Sequence, residues 1–273
     1  MDYTFNKKIS DLNLLILNYG KIIVAFSGGV DSAFLLWYCK NNTNSKVIAF
    51  TFINNFINKR DVEFAELFCK KINVEHFIYN SDEITDSEIL KNPVNRCYFC
   101  KKEIFSTIKR LSKEKFGINT IFDGTNFDDE FDYRPGLKAL DELGIISPLK
   151  IAKITKKEIR TFLDKNGFSD IANKPSNSCL ATRVPYNIEI TKEILLKIEK
   201  SENFLHDLGF KEFRVRYHND IARLEISKDE YIILFDSLIR DKIVEKLKSF
   251  GFKYVTLDLL TFKSGSMNEV ING

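Results

Sequence analysis

The most constraining feature of this chain is a short segment near its N-terminus, in which an apolar run, a glycine pair and a second apolar run follow one another. The β-branched apolar run at residues 22–26 predicts a buried strand. Two adjacent glycines then allow a tight turn with close approach of a ligand. The first amides of the helix predicted after them point outward with partial positive charge, which predicts a cradle for phosphate oxygens. The residues predicted to form this cradle are Ser27, Gly28, Gly29, Asp31 and Ser32.

The hexapeptide SGGVDS at residues 27–32 resembles the PP-motif of the ATP pyrophosphatase superfamily. The resemblance implies cleavage of ATP between its α and β phosphates, with an adenylylated substrate as a frequent product. No Walker A pattern is present, since that motif requires GxxxxGK followed by Ser or Thr. The expectation is therefore ATP as a source of AMP. An ordinary strand–turn–helix corner is the alternative that the residues alone leave open.

The amino-acid composition restricts the class of protein but says little about the reaction. A hydrophobic content of 44%, with 24 Phe and 10 Tyr, predicts a well-packed core for the 273 residues. The net charge of +3 gives no support for nucleic-acid or membrane binding. The sequence also lacks the features of a signal peptide or a membrane span, so we expect a cytoplasmic protein.

Strand and helix patterns alternate through the first part of the chain, which predicts an α/β fold with a doubly wound parallel sheet. Ligands bind such sheets beyond the carboxyl ends of the strands, where Gly124 is expected to join the ATP site. Thr155 and Glu158 are spaced as a capping box. The predicted strands are 22–26, 46–53, 74–79 and 120–122, and the predicted helices are 5–17, 32–40, 61–71, 99–115 and 155–165.

The pattern changes after Asp170, where a turn-rich stretch at residues 173–187 carries two prolines. We interpret this stretch as a junction between a PP-loop domain at residues 1–180 and a smaller α+β domain at residues 181–273. The smaller domain is expected to bind substrate or to mediate oligomerisation. Its predicted elements are a helix at 191–208, hairpin strands at 213–217 and 221–226, helices within 228–250 and a strand at 252–257.

The five cysteines divide into two buried-type and three chemically interesting residues. Cys39 and Cys69 lie among apolar residues and are interpreted as core. Cys97 and Cys100 form a CxxC, and Cys179 stands in the junction. One alternative is a structural zinc site, which needs four N or S ligands. A redox pair is disfavoured, because no helix-opening context flanks the CxxC. The third alternative is a 4Fe–4S cluster with one open iron, which three thiolates suit. Spacing alone leaves zinc and cluster equally supported.

Several further segments, taken with SGGVDS, resemble the LarE-type sulfur transferases, that is, pyridinium-3,5-biscarboxylic acid mononucleotide sulfurtransferases. The segments are GTNFDDEFDYRPG (124–136), ISPL (146–149), TKKEIR (155–160), KPSNSCLATRVPY (174–186), FRVRYHNDIARLEI (213–226) and GSMN (265–268). The resemblance covers nearly the whole chain. It implies an enzyme that uses ATP and magnesium to adenylylate a substrate carboxylate and then replaces oxygen by sulfur, for nickel-pincer nucleotide biosynthesis.

The resemblance also implies roles for particular residues. One branch of the family sacrifices the sulfur of the cysteine at position 179, and a second branch uses Cys97, Cys100 and Cys179 to hold a 4Fe–4S cluster that delivers sulfide. The CxxC places this chain in the second branch. Thr182 stands where many relatives have Ser, and the hydroxyl is retained. Relatives assemble as hexamers, so a homo-oligomer is expected, while the sulfide donor is not identified.

Charged residues complete the predicted site. The magnesium-side carboxylates are expected to be Asp31 and Asp128, because a carboxylate and a triphosphate can be held together only with compensating charge. Arg214 and Arg216 alternate on one predicted strand and therefore face the same side, as a fork for the mononucleotide phosphate. Arg134 and Arg183 are weaker candidates for the same role.

Three rival functions remain at this point. A cluster-dependent tRNA thiolase of the PP-loop superfamily shares the adenylylation chemistry, but the near-neutral charge argues against nucleic-acid binding. An ammonia-using PP-loop ligase would not need the three cysteines. A non-catalytic ATP- or zinc-binding regulator would bind nucleotide without releasing pyrophosphate.

Overall fold

The computed structural model describes residues 3–81, 84, 86–131, 133–175 and 178–263. The chain forms two compact units, one comprising Met1–Glu83 with Asn95–Ser176 and the other Ile84–Val94 with Asn177–Gly273. The domain boundary at residue 180 stays a prediction. The segment GSMN lies outside the described residues.

The first unit is built on a four-stranded sheet in the order β3-β2-β1-β4, and all its strand pairs are parallel. Val24 is paired with Ala49 on one side and with Phe122 on the other. The predicted doubly wound α/β class is confirmed. The strands are β1 (Lys21–Ala25), β2 (Lys46–Ile53), β3 (Glu75–Asn80) and β4 (Ile121–Phe122).

Helices cover both faces of this sheet, because neighbouring residues of a strand point to opposite sides. Ile22 and Val24 join one apolar core, whereas Ile23 joins the other. The α-helices of the described chain are α1 (Tyr3–Leu17), α2 (Val30–Asn42), α3 (Lys59–Lys71), α4 (Ser87–Leu90), α5 (Arg96–Phe116), α6 (Gly136–Leu143), α7 (Pro148–Ile151), α8 (Lys156–Lys165), α9 (Ser169–Ala172), α10 (Lys192–Asp207) and α11 (Ser237–Ser249). Short 3-10 helices span Phe127–Phe131, Leu180–Arg183 and Lys228–Phe235.

The second unit contains a three-stranded sheet in the order β5-β6-β7. Its strands β5 (Phe213–His218) and β6 (Ile221–Ile226) form an antiparallel hairpin, and β7 (Tyr254–Leu257) pairs parallel to β6. Val215 and Leu224 face a third apolar core together with Leu247 of α11. This arrangement confirms the small α+β part.

Most predicted elements differ from the observed ones by a residue or two at their ends. The capping box at Thr155 is present, with both reciprocal hydrogen bonds. One difference matters for function, since α5 begins at Arg96 rather than near residue 99. The CxxC therefore does open a helix, and the objection raised against a redox pair was wrong. In the described chain, no helix combines the length and apolar character that a membrane crossing requires.

Candidate active site

The turn between β1 and α2 has the conformation that the glycine pair predicts. Gly28 has φ +73°, in the left-handed region, and a Cβ placed on it would lie 2.6 Å from the carbonyl oxygen of Asp61. Helix α2 begins at Val30 with Gly29 as its N-cap, and no side chain caps its first amides. These amides are thus left available to phosphate oxygens, as expected for an anion site at a helix N-terminus.

Two hydroxyl groups line this turn. Ser27 Oγ lies 3.3 Å from Ser32 Oγ, and Ser32 Oγ donates to the carbonyl oxygen of Gly29 at 3.1 Å. Gly124 packs against the same corner, because a Cβ on it would lie 2.8 Å from the backbone nitrogen of Ser32. Absence of a side chain at Gly124 is therefore needed for the end of β4 to approach α2.

Lys174, which the sequence analysis did not single out, contacts the turn from within the same unit. Its Nζ donates to the carbonyl oxygen of Gly28 at 2.8 Å and lies 2.9 Å from the carboxylate of Asp61. The same ammonium lies 3.8 Å from the ring centroid of Phe64. Lys174 thereby ties the glycine turn to the first two turns of α3.

Asp31 places a carboxylate in the first turn of α2. One carboxylate oxygen of Asp31, Oδ1, is buried without a hydrogen bond of standard geometry among the described residues, while the side chain of Asn126 lies close enough to oppose the rise in the Asp31 pKa. Burial raises the pKa of Asp31 above its ordinary value. Lys156, whose Nζ lies 3.5 Å from Asp31 Oδ2, opposes this rise, and the negative charge of Asp129 adds to it.

The two neighbouring aspartates have different surroundings. Asp128 is exposed and accepts a hydrogen bond at 2.8 Å from the first backbone amide of α8. Asp129 is buried, accepts from the backbone of Asn126 at 3.1 Å and forms an ion pair with Arg134 at 2.7 Å. The sequence analysis thus missed Asp129, whose charge acts on Asp31.

The donor set at this corner suits magnesium. Mg²⁺ prefers carboxylate oxygens and keeps several water ligands, and a buried carboxylate oxygen without a partner has a deficit that a cation would remove. The predicted magnesium role of Asp31 and Asp128 stays a prediction, and Asp129 is a further carboxylate at this corner.

Cys97 and Cys100 lie on the first turn of α5, both half-buried. The spacing of three places the two thiols on one helix face. A guanidinium nitrogen of Arg96 lies 3.9 Å from Cys97 Sγ. Further along the same helix, the ammonium of Lys101 lies 3.9 Å from the carboxylate of Asp123. Asp123 directly follows β4, and its carboxylate accepts hydrogen bonds from two hydroxyl groups.

Cys179 belongs to the second unit and is also half-buried. It precedes the 3-10 helix at Leu180–Arg183, and its carbonyl oxygen accepts from Thr182 through the backbone amide at 3.0 Å and the hydroxyl at 2.8 Å. The hydroxyl at position 182 therefore closes the turn. Within the described residues, no three His, Cys, Asp or Glu side chains are grouped so as to hold a metal ion.

Three buried arginines and two buried glutamates surround the start of β5. Arg216 forms a two-bond pair with Glu225, at 2.9 and 2.8 Å. Arg214 donates to the carbonyl oxygen of Phe213 at 2.6 Å, and its guanidinium lies 4.8 Å from the ring centroid of Phe262. Burial, with the positive charge of Arg183, lowers the pKa of Arg214 to about 10.

Arg183 forms a second two-bond pair in this cluster, with Glu202, and both of its hydrogen bonds measure 2.9 Å. Assignment of Arg214, Arg216, Arg183 and Arg134 to a substrate phosphate stays a prediction.

The sequence analysis missed Lys174, Asp129, Glu202 and Glu225 as site residues. A signal for Glu225 was available, since β6 places it directly opposite Arg214 in the hairpin register. Lys174 and Glu202 meet their partners only through tertiary packing, and the effect of Asp129 on Asp31 likewise depends on the fold.

Comparison with known proteins gives a consistent result. The model of the family "Queuosine biosynthesis protein QueC" matches residues 21–133. The chain is 31% identical to pyridinium-3,5-bisthiocarboxylic acid mononucleotide synthase of Lactiplantibacillus plantarum over 270 residues, which cover 98% of this chain and 96% of that protein. It is also 33% identical to an uncharacterised protein of Synechocystis, over 97% of this chain and 98% of the relative.

A third relative, an uncharacterised protein of Methanocaldococcus jannaschii, is 36% identical over 89% of this chain and 91% of its own length. The glycine turn and the uncapped start of α2, the parallel sheet and this similarity over almost the full length point to one assignment. The chain belongs to the LarE-type family of PP-loop ATP-dependent sulfurtransferases, which includes pyridinium-3,5-bisthiocarboxylic acid mononucleotide synthase.

Proposed function

We propose that this chain adenylylates a carboxylate of pyridinium-3,5-biscarboxylic acid mononucleotide and converts it to a thiocarboxylate, for nickel-pincer nucleotide biosynthesis. The observation that carries the proposal is the 31% identity to the Lactiplantibacillus plantarum synthase across both chains. The turn at Gly28 and the uncapped start of α2 support it, since they form a phosphate cradle of the required kind.

The chemistry explains why ATP is needed. A carboxylate is a poor acyl donor because its leaving group would be oxide. Transfer of AMP to one carboxylate oxygen forms an acyl–phosphate bond and releases pyrophosphate. Attack by sulfur at the acyl carbon then breaks that bond, so AMP departs with the original oxygen and a thiocarboxylate remains.

The residues of the first unit are suited to the adenylylation step. The amides at the start of α2 and the hydroxyls of Ser27 and Ser32 would bind and orient phosphate oxygens. Asp31, with Asp129, would hold a magnesium ion, and the ion would screen the repulsion between triphosphate and carboxylate. Gly124 would complete the ATP site at the end of β4.

The residues of the second unit are suited to binding the mononucleotide. Its phosphate would be bound by Arg214 and Arg216, two buried guanidiniums that alternate on β5 and therefore face the same side of the strand. Arg134, which is paired with Asp129, and Arg183, which is paired with Glu202, are weaker candidates. Arginine is favoured for this role because its planar fork fits phosphate oxygens.

For the sulfur source, we propose that Cys97, Cys100 and Cys179 are ligands of a 4Fe–4S cluster. Two half-buried thiols on one helical turn and a third beside a closed 3-10 turn supply the soft donors that such a cluster takes. When bound, the cluster would supply sulfide from its open iron. The protein would need only to hold these thiols and to exclude water from the activated acyl group.

The decisive test is anaerobic purification followed by iron and acid-labile sulfide analysis, beside an assay with ATP, Mg²⁺, sulfide and the biscarboxylate mononucleotide. About four irons per chain, pyrophosphate release and a thiocarboxylate product by mass spectrometry are expected. The paired change Cys97→Ser, Cys100→Ser should remove iron and thiocarboxylate formation, whereas the control Cys69→Ala, in the core, should retain both.

Other outcomes would redirect the assignment. Stoichiometric zinc in a colourless protein would contradict the cluster. Steeply salt-dependent tRNA binding would indicate a tRNA thiolase, and full activity of the double cysteine variant with ammonia would indicate a ligase. A homo-oligomer, a hexamer by family resemblance, and a cytoplasmic location are part of the same proposal, and size measurement of the purified enzyme tests the first.

A further inference from the structure

Arg183 is almost completely buried, with 3% of its side chain exposed. Its Nε and one terminal nitrogen donate to the two carboxylate oxygens of Glu202, both at 2.9 Å. Glu202 in turn accepts from the backbone amide of Val215 at 3.1 Å, on β5. The guanidinium is therefore fixed by a two-bond pair that is itself anchored to helix α10 and to the sheet.

The remaining terminal nitrogen of Arg183 faces the turn that carries Cys179. Its acceptors are the carbonyl oxygen of Ser178 at 2.7 Å, the Ser178 hydroxyl at 2.9 Å, the Thr182 hydroxyl at 3.0 Å and the carbonyl oxygen of Cys179 at 3.1 Å. One nitrogen thus contacts the carbonyl group before Cys179, the carbonyl group of Cys179 itself and the hydroxyl that closes the turn.

A second arginine contacts the far end of the same turn. Arg216 donates to the carbonyl oxygen of Thr182 at 2.6 Å while Glu225 holds its other nitrogens. Two buried arginine–glutamate pairs therefore contact the backbone on either side of the 3-10 turn. If these two guanidiniums served only to bind a substrate phosphate, their hydrogen bonds to the Cys179 turn would not be needed.

We propose that Arg183, held by Glu202, is a positioning residue that fixes the backbone around Cys179 and so presents its sulfur in one orientation for sulfur transfer. All three guanidinium nitrogens of Arg183 make hydrogen bonds to Glu202 or to the turn, which is the pattern of a positioning residue. The inference rests on the proposed function, since it assumes that Cys179 takes part in the reaction. Orientation matters there because an error of about 1 Å in the placement of a reacting group costs up to about a hundredfold in rate.

The test uses full-length Arg183→Lys, which keeps the charge but loses the planar fork. Arg223→Lys is the matched control, because Arg223 pairs with Glu225 and Asp258 and has no hydrogen bond to the turn. Hydrogen exchange, followed by mass spectrometry on metal-free reduced protein, reports the amides of Thr182 and Val184, which donate within the turn. Arg183→Lys should speed their exchange about tenfold, as for loss of a charge-assisted hydrogen bond, and leave the exchange of β5 and β6 unchanged.

The functional readout is thiocarboxylate formation from the biscarboxylate mononucleotide. Arg183→Lys should lower kcat about tenfold with an unchanged KM for ATP, whereas Arg223→Lys should match the unaltered enzyme. Wild-type exchange at the turn in Arg183→Lys would overturn the proposal, and so would faster exchange with an unchanged kcat. If Arg183→Lys does not fold, Thr182→Val removes a hydroxyl from the same turn and carries the same expectations.

The variant Cys179→Ser distinguishes a failure of the proposed function from a failure of the positioning role of Arg183. Wild-type thiocarboxylate formation by Cys179→Ser would overturn the proposed use of Cys179, and with it the role of Arg183 in sulfur transfer, even if the exchange data show that Arg183 holds the turn. Loss of product in Cys179→Ser with no effect of Arg183→Lys on kcat would leave the proposed function standing and overturn only the positioning role.

Discussion

The carbonyl oxygen of Asp61 lies where the side chain of Gly28 would be. A Cβ on Gly28 would come within 2.6 Å of that oxygen, and the backbone of Gly28 has a positive φ of +73°. The tight approach of α3 to the phosphate turn and the shape of the turn itself therefore both depend on the absence of a side chain at one position.

Gly28→Ala should destabilise the protein by more than the roughly 1–2 kcal/mol typical of a left-handed backbone, because the clash with Asp61 adds to that cost. Gly117→Ala is the matched control, since Gly117 has φ +64° with no atom near its absent Cβ. Urea unfolding measures the difference between the two variants. Equal losses of unfolding free energy in the two variants would show that the clash with Asp61 does not contribute to the effect of Gly28→Ala.

Lys174 is expected to stabilise the same turn through charge. Lys174→Met keeps an apolar stem but leaves the carbonyl oxygen of Gly28 and the carboxylate of Asp61 without their ammonium partner, at a cost of roughly 1–3 kcal/mol. Asp61→Asn in the same chain should recover part of this loss, as a double-mutant cycle would measure. Lys46→Met, at an exposed pair with Glu75, should cost less than about 1 kcal/mol.

Asp31 should show opposite effects on stability and on activity. Burial raises its pKa, so its ionised form is disfavoured by the fold, and this penalty appears as pH rises above the ordinary value of 3.8. In magnesium-free buffer near neutral pH, Asp31→Asn should therefore gain roughly 0.5–2 kcal/mol in unfolding free energy while pyrophosphate release is lost. The exposed Asp128→Asn should show no such gain, and retained pyrophosphate release in Asp31→Asn would remove Asp31 from the mechanism.

Glu202 should make the stability of the protein sensitive to acid. Burial alone would raise its pKa, but the adjacent Arg183 outweighs this and holds the pKa of Glu202 below its ordinary value of 4.5. The stabilising contribution is thus present above pH 4.5 and is lost as the pH falls through the lower, folded-state pKa.

Glu202→Gln should cost roughly 3–5 kcal/mol near neutral pH, because Arg183 would remain buried without its counter-charge. The difference from the unaltered protein should shrink in acid, where Glu202 becomes protonated. Urea unfolding at neutral and acidic pH, followed by circular dichroism, checks both points. A difference that does not depend on pH would contradict the assigned charge of Glu202.

Local signals in the sequence were sufficient for much of this fold. The glycine turn, the capping box at Thr155 and the hairpin at residues 213–226 each depend on residues close together in the chain, and each is present. The start of α5 was placed too late, because Asn95, a residue type that is common at helix N-caps, was not used as a helix-start signal. The uncapped start at Arg96 became visible only in the folded chain.

The sequence by itself determined the α/β class and the tight turn at Gly28, because strand periodicity and glycine conformation act over a few neighbouring residues. Only the tertiary structure decided that Asp129 rather than Asp128 is the buried neighbour whose charge acts on Asp31, and that Glu202 of α10 holds Arg183 against the Cys179 turn. Charges interact according to distance in space and burial, and both are set by packing between segments that are far apart in the chain.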